Sequence, residues 1–255
     1  RRYLAKGHRK EAGPDPGHDD PAAQAGGYTK QGDAGAESSG GVGELRYACT
    51  HGIPRLAPWR FMPFIPVSGQ QVYYAAQRPV PALHPPVIMI HGAGGTHRNW
   101  LHQVRALPES ETYAPDLPGH GRSDGSARDS VLAYSDWLAA YCDALGLRTV
   151  VIVGHSMGGG IALDFALRFP ERVAGLGLVA TGARLRVAPS ILEMIREEPD
   201  KVAEAISDWA FGPETSSDML RQSRRQMITV PPEVLYQDLT ASDRFDLMTE
   251  ISEIE

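Results

Sequence analysis

Cysteine is scarce: Cys49 and Cys142 are the two in 255 residues. That is too few for a disulfide framework and points to a reducing, cytoplasmic setting. No apolar run reaches the roughly 18–20 residues that a membrane span needs, so no membrane span is expected. A basic excess is also lacking. Lys and Arg number 25 against 31 Asp and Glu, a net charge of −6. Nucleic acid requires a basic patch, and anionic membrane surfaces attract basic segments, so neither is an expected partner. The last absence bears on chemistry. All nine histidines (His8, His18, His51, His84, His91, His97, His102, His120 and His155) precede Ser156.

What is present suffices for one sizeable core, with 42% hydrophobic and 22% charged residues. Residues 1–48 are rich in Gly, Ala, Asp, Pro and Lys/Arg and nearly devoid of large apolar side chains. Such a stretch buries too little surface to offset its ordering entropy, which predicts disorder. The first methionine, Met62, opens "MPFIPVSGQQVYYAAQ", which reads as a domain start with a hairpin at Ser68-Gly69. Residues 1–61 are therefore expected to be a non-native extension or a disordered tail.

From Met62 onward, short apolar runs alternate with helical patterns. "PPVIMIHG" (85–92), a run ending near Asp116, "RTVVIVG" (148–154) and "RVAGLGLVA" (172–180) read as buried strands. "NWLHQVRAL", residues 130–146 with Gly146 as C-cap, and Ile161 to Phe169 read as helices. The rhythm predicts an α/β fold: a mostly parallel, doubly wound sheet with helices on both faces. Residues 183–240 hold only helical patterns, including the stripes Val202, Ile206, Trp209 and Met219, Ser223, Met227. They are expected to form a helical lid over a core of residues 62–182, with 241–255 returning toward that core.

Two motifs carry chemistry. Gly154-His155-Ser156-Met157-Gly158 matches G-x-S-x-G between a buried strand and a helix. A serine on that turn is strained, glycines on either side avoid steric overlap, and the helix N-terminus favours negative charge there. Serine alone is a poor nucleophile and needs a base. His91-Gly92-Ala93-Gly94-Gly95 follows the first central strand. The N–H groups of Ala93 and Met157 are the natural pair to hold an oxyanion. "DLPGHGRSDG" (116–125) reads as a shaped loop in which Asp116 bonds backbone and Ser123 has no catalytic part. No strand–helix junction carries a dinucleotide-binding glycine pattern. His91, His97 and His102 lack companion ligands at metal spacing.

Taken in order, "VIMIHGAGG", "APDLPGHGRSDG" and "VIVGHSMGGGIAL" resemble the α/β-hydrolase family, in its small bacterial esterase-like branch, from roughly Met62 to Glu255. The resemblance implies a serine hydrolase of esters, lactones or thioesters, working through an acyl-enzyme on Ser156 with no cofactor and no metal. It assigns the oxyanion hole to Ala93 and Met157, with His91, Gly92, Gly94, Gly154, His155 and Gly158 supporting the elbow and its facing loop. The implied partner is a small ester-like substrate with an apolar portion; the sequence sets no oligomeric state. C–C bond hydrolases, enol-lactonases and cofactor-free haloperoxidases share these motifs.

The family order places an acid and then a histidine after the serine. Asp238, Asp243 and Asp246 precede the expected acid position and read as caps or bridges. The Thr181-Gly182-Ala183 stretch offers no acid. The expectation is a chain ending before its last strands and nearly inactive by itself. The alternative is a non-enzymatic ligand-binding protein, or a dead fragment, on a hydrolase scaffold.

Overall fold

A computed structural model describes residues 64–254. The expectations for residues 1–61 and for a domain start at Met62 lie outside that range.

The described chain opens with the hairpin read at Ser68-Gly69. Strands β1 (Phe64–Val67) and β2 (Gln70–Gln77) pair antiparallel with Val67 opposite Gln70. Ser68 and Gly69 have φ of 48° and 81°. Positive φ at both turn positions matches the twist of the flanking strands.

The inner strands β3 (His84–Ile90) and β5 (Val150–His155) are runs of β-branched and other apolar residues. Successive side chains point to opposite faces. Ile88, Ile90 and Ile152 enter a large core with α2 (Val131–Leu145) and α3 (Met157–Arg168). Val87 and Met89 turn the other way, toward Trp100 and Val104 beside and within α1 (Leu101–Ala106). Burial on both faces explains why these strands read as continuous apolar runs.

The sheet order is β1-β2-β4-β3-β5-β6, with β4 at Ser110–Pro115 and β6 at Val173–Val179. The pairs β3/β4, β3/β5 and β5/β6 are parallel, while β2 lies antiparallel to β4. From β3 the chain winds to β4 on one side and then crosses back to β5 on the other. That reversal makes the carboxyl ends of β3 and β5 the topological switch point, where α/β sheets bind ligands. Among the described residues the outer edge of β6 is unpaired, and Leu178 and Val179 on it are exposed.

Four helices follow β6: α4 (Pro189–Glu197), α5 (Pro199–Trp209), α6 (Ser217–Ile228) and α7 (Pro232–Arg244). Ile191, Ile195, Val202 and Leu235 form their own buried cluster. The base of this segment is closed by backbone pairing. Leu185 N–H donates to the Phe245 carbonyl (3.3 Å), and Leu247 N–H to that of Ala183 (2.7 Å).

Several details depart from the sequence reading. Helix α3 starts at Met157 rather than Ile161, because the glycine run is tightly buried inside it. Helix α4 was not foreseen, and the helical segment ends at Arg244 rather than residue 240. Trp209 and Met219, placed on apolar stripes by their spacing, are 69% and 54% exposed, while Val202 is buried.

Leu138 is completely buried in the main core. Leu138→Ala leaves a cavity there and is expected to cost about 2–5 kcal/mol, read as a lowered urea midpoint with an unchanged slope.

Candidate functional site

Two backbone features meet at the switch point. The first is Ser156, with φ 54° and ψ −119° between β5 and α3. A non-glycine residue there is strained by roughly 1–3 kcal/mol, so its surroundings must hold it. Ser156 N–H donates to the Val179 carbonyl (3.0 Å), and its own carbonyl accepts from Gly159 N–H (2.9 Å) and from Thr181 Oγ1 (2.8 Å). The glycines are sterically required. A Cβ on Gly154 would overlap the Gly158 carbonyl, and one on Gly158 would overlap that of Ile90. Among the described residues the Ser156 hydroxyl has no hydrogen-bond partner, and neither does the Met157 N–H.

The second feature is the loop His91–Gly95. Gly92 lies against the serine: a Cβ there would stand 3.1 Å from Ser156 Cβ and 3.0 Å from His155 Nδ1. The Gly92 carbonyl accepts from Gly95 N–H and from His91 Nδ1, both at 2.9 Å. Gly94 has φ of +63° and sits beneath Met227 and Leu235. Its N–H donates to Asp238 Oδ2 at 2.9 Å. Ala93 packs against the helical cluster, and its N–H has no acceptor among the described residues. The N–H groups of Ala93, in the loop that Gly92 brings against the serine, and of Met157, at the start of α3, are thus without acceptors among the described residues.

The histidines differ sharply in state. His155 makes no hydrogen bond to Ser156, and burial lowers its pKa. His91 is fully buried. Its Nδ1 donates to Gly92 O, and its Nε2 accepts from Leu117 N–H at 3.1 Å. One donor and one acceptor fix the neutral tautomer. Burial, and secondarily the charge of His120, lower its pKa to about 4. His120 is buried, with Asp238 Oδ2 2.7 Å from its Nε2. Burial opposes the charge on His120, but the carboxylate beside it raises its pKa.

The loop 116–125 is pinned rather than loose. Asp116 accepts from His97 N–H (2.7 Å), from His97 Nδ1 (2.8 Å) and from Arg122 N–H (3.0 Å). Ser123 Oγ donates to the Asp116 carbonyl. Among the described residues no group of three His, Cys, Asp or Glu side chains is arranged to hold a metal ion.

The other acidic residues bridge, as their position suggested. Asp243 accepts from Val187 N–H, and Asp246 pairs with Arg184 and Arg186. Two contributions had no signal in the sequence. One is Thr181, which holds the Ser156 carbonyl. The other is Tyr134, whose hydroxyl donates to Asp238 Oδ1 at 2.6 Å.

Residues 85–226, more than half of the chain, match the profile of the alpha/beta hydrolase fold family. The chain belongs to the α/β-hydrolase family. A solved thermophilic esterase is 36% identical, with a TM-score of 0.61 over 72% of this chain and 69% of that one. The lipase LipV of Mycobacterium tuberculosis is 38% identical over 133 residues, 49% of this chain and 50% of that protein. An uncharacterised protein of the same organism is 42% identical over 100 residues, 38% of this chain and 29% of that protein. The chain thus matches only 29–50% of the length of these two curated relatives. Within this α/β-hydrolase, no helix among the described residues is long and apolar enough to cross a membrane.

The state of His91 has a pH consequence. Above about pH 6.5 the ring is neutral both folded and unfolded. Between about 6.5 and 4 the unfolded chain takes up a proton that the folded chain excludes. Stability therefore falls with acid in that window, by about 1.4 kcal/mol per pH unit and about 3 kcal/mol in all. His120, with its raised pKa, already contributes fully below pH 6.5 and does not change there. In urea titrations from pH 7 to 4.5, His91→Gln is expected to take up about one proton fewer on unfolding; an unchanged acid slope would assign the sensitivity elsewhere.

Proposed function

We propose that this protein is a serine hydrolase of small carboxylic esters, or of related lactones or thioesters, acting through an acyl-enzyme on Ser156. The observation that carries the reading is the strained Ser156 with a hydroxyl free among the described residues, at the N-terminus of α3 and against Gly92 of the facing loop; the N–H groups of Ala93 and Met157 are the donors assigned to it. Attack of Ser156 Oγ on a carbonyl carbon moves negative charge onto the carbonyl oxygen. Two preorganised donors aimed at that oxygen stabilise it where little water competes. The N-terminus of α3 adds its partial positive charge at the same point.

The helices after β6 act as a lid. Met227 and Leu235 cover Gly94, so the bound molecule meets apolar surface on that side. This favours substrates with an apolar acyl or alcohol portion. No cofactor enters the scheme. His91, Gly92, Gly94, Gly154, His155 and Gly158 shape the elbow and the oxyanion loop without touching the reacting carbonyl.

No imidazole among the described residues bonds the Ser156 hydroxyl, and no histidine follows it in the sequence. In the 255 residues by themselves, acylation relies on binding and the oxyanion hole. Triad variants lacking a member retain roughly 10³–10⁴-fold over water. A rival reading is a ligand-binding protein on a hydrolase scaffold, since the Ser156 hydroxyl bonds no base among the described residues.

A p-nitrophenyl acetate assay of the 255-residue chain separates the two. Slow release of p-nitrophenol is expected, with acetate carried on Ser156 by peptide mass spectrometry and both signals lost in Ser156→Ala. Release that is unchanged in Ser156→Ala, with no acetyl group on that residue, would favour the binding-protein reading.

A further inference from the structure

Asp238 lies on α7 and is completely buried. Three donors from distant parts of the chain converge on its carboxylate. Oδ2 accepts from Gly94 N–H at 2.9 Å and from His120 Nε2 at 2.7 Å, and Oδ1 accepts from the Tyr134 hydroxyl at 2.6 Å. Tyr134 in turn accepts from Arg128 N–H at 3.0 Å. The other ring nitrogen of His120, Nδ1, lies 3.0 Å from the Pro118 carbonyl.

These contacts fix the charge of His120. With Asp238 ionised, both ring nitrogens face acceptors and both donate, which makes His120 an imidazolium. The groups around it agree. Asp238 faces it directly, Asp116 adds negative charge, and the nearby His91 ring, 4.9 Å away between centroids, is held neutral. A buried ion pair is seldom a net source of stability, because desolvation offsets the attraction. Its consequence is geometric.

That geometry concerns the loop facing Ser156. The peptide between Gly92 and Ala93 is pinned through the Gly92 carbonyl, which takes His91 Nδ1 and Gly95 N–H. The next peptide, between Ala93 and Gly94, is pinned through Gly94 N–H by Asp238. Two consecutive peptide planes are thereby fixed, and the N–H left over is that of Ala93. The acceptor that fixes the second plane rides on α7, outside the sheet.

We propose that Asp238 is a positioning residue: held by the His120 imidazolium and Tyr134, it latches α7 to the His91–Gly95 loop and sets the Ala93 N–H for anion binding at Ser156. Docking of α7 and formation of the oxyanion hole are then one event. The proposal rests on the reading of Ser156 and its two N–H groups as an anion site.

The test uses the 255-residue chain and phenylboronic acid, which forms a tetrahedral anion on a serine hydroxyl. Binding is followed through the amide resonances of Ala93 and Met157. Ser156-dependent binding is expected in the unmutated chain. Asp238→Asn is expected to weaken it at least tenfold and to speed exchange of the Gly94 amide hydrogen at least tenfold. Tyr134→Phe, which removes one donor and keeps the ring, is expected to do the same several-fold.

Should Asp238→Asn fail to fold, Tyr134→Phe and the ring ¹⁵N resonances of His120 in the unmutated chain still decide. Both ring nitrogens are expected at imidazolium positions at pH 8. A neutral His120 at that pH, or Ser156-dependent boronate affinity unchanged in the folded variants, overturns the latch. Boronate binding that survives Ser156→Ala, or no binding by the unmutated chain, overturns instead the reading of the site on which the latch rests.

Discussion

One backbone conformation underlies the whole site: Ser156 held at φ 54° and ψ −119°. L-residues avoid that region, and nothing in the serine side chain compensates. The cost is met by neighbours. Gly154 and Gly158 let β5, α3 and β3 approach without steric overlap. Val179 and Thr181 bond the serine backbone from the end of β6 and just beyond it. Parallel pairing of β3, β5 and β6 brings these groups together, and covering of the apolar side chains of β3 and β5 on both faces stabilises that pairing. The core thus sustains the strain, and the strain presents the hydroxyl at the carboxyl end of the sheet.

Behind the loop that faces the serine, two buried histidines in ring contact hold opposite protonation states. His91 is neutral because its partners are one acceptor and one donor. His120 is charged because its partners are two acceptors. In a medium of low polarity these states are set by hydrogen-bond geometry more than by the intrinsic basicity of imidazole. Each histidine fixes part of the loop, His91 by direct contact and His120 through Asp238. The loop's rigidity is therefore distributed over β3, the 116–125 loop, α2 and α7.

Where the sequence was legible, local physics explains it. "PPVIMIHG" and "RTVVIVG" read as buried strands because both their faces are covered, and Ser68-Gly69 read as a turn because both positions need positive φ. The elbow was legible because its glycines are dictated by contacts within a few residues and one strand away. What escaped depends on distant pairings. The role of His120 was not legible because its partner is 118 residues away on α7. Tyr134 lies within the helix read over residues 130–146, and nothing near it in sequence announces that its hydroxyl meets Asp238. Thr181 was noted for lacking an acid, while its hydroxyl holds the serine carbonyl. Trp209 and Met219 fit a helical stripe by spacing, but the helices turn those positions to solvent.

The site therefore supplies strain and a free hydroxyl, with two proposed N–H donors, and it holds no imidazole on that hydroxyl among the described residues. The central claim is geometric: Ser156 Oγ and the N–H groups of Ala93 and Met157 surround one point where a tetrahedral anion fits. A crystal structure of the chain soaked with phenylboronic acid tests this most directly. The account predicts boron bonded to Ser156 Oγ, with one boronate oxygen about 2.7–3.1 Å from both N–H groups. A boronate bonded to Ser156 whose oxygens all face solvent, with both N–H groups unpaired, would contradict it.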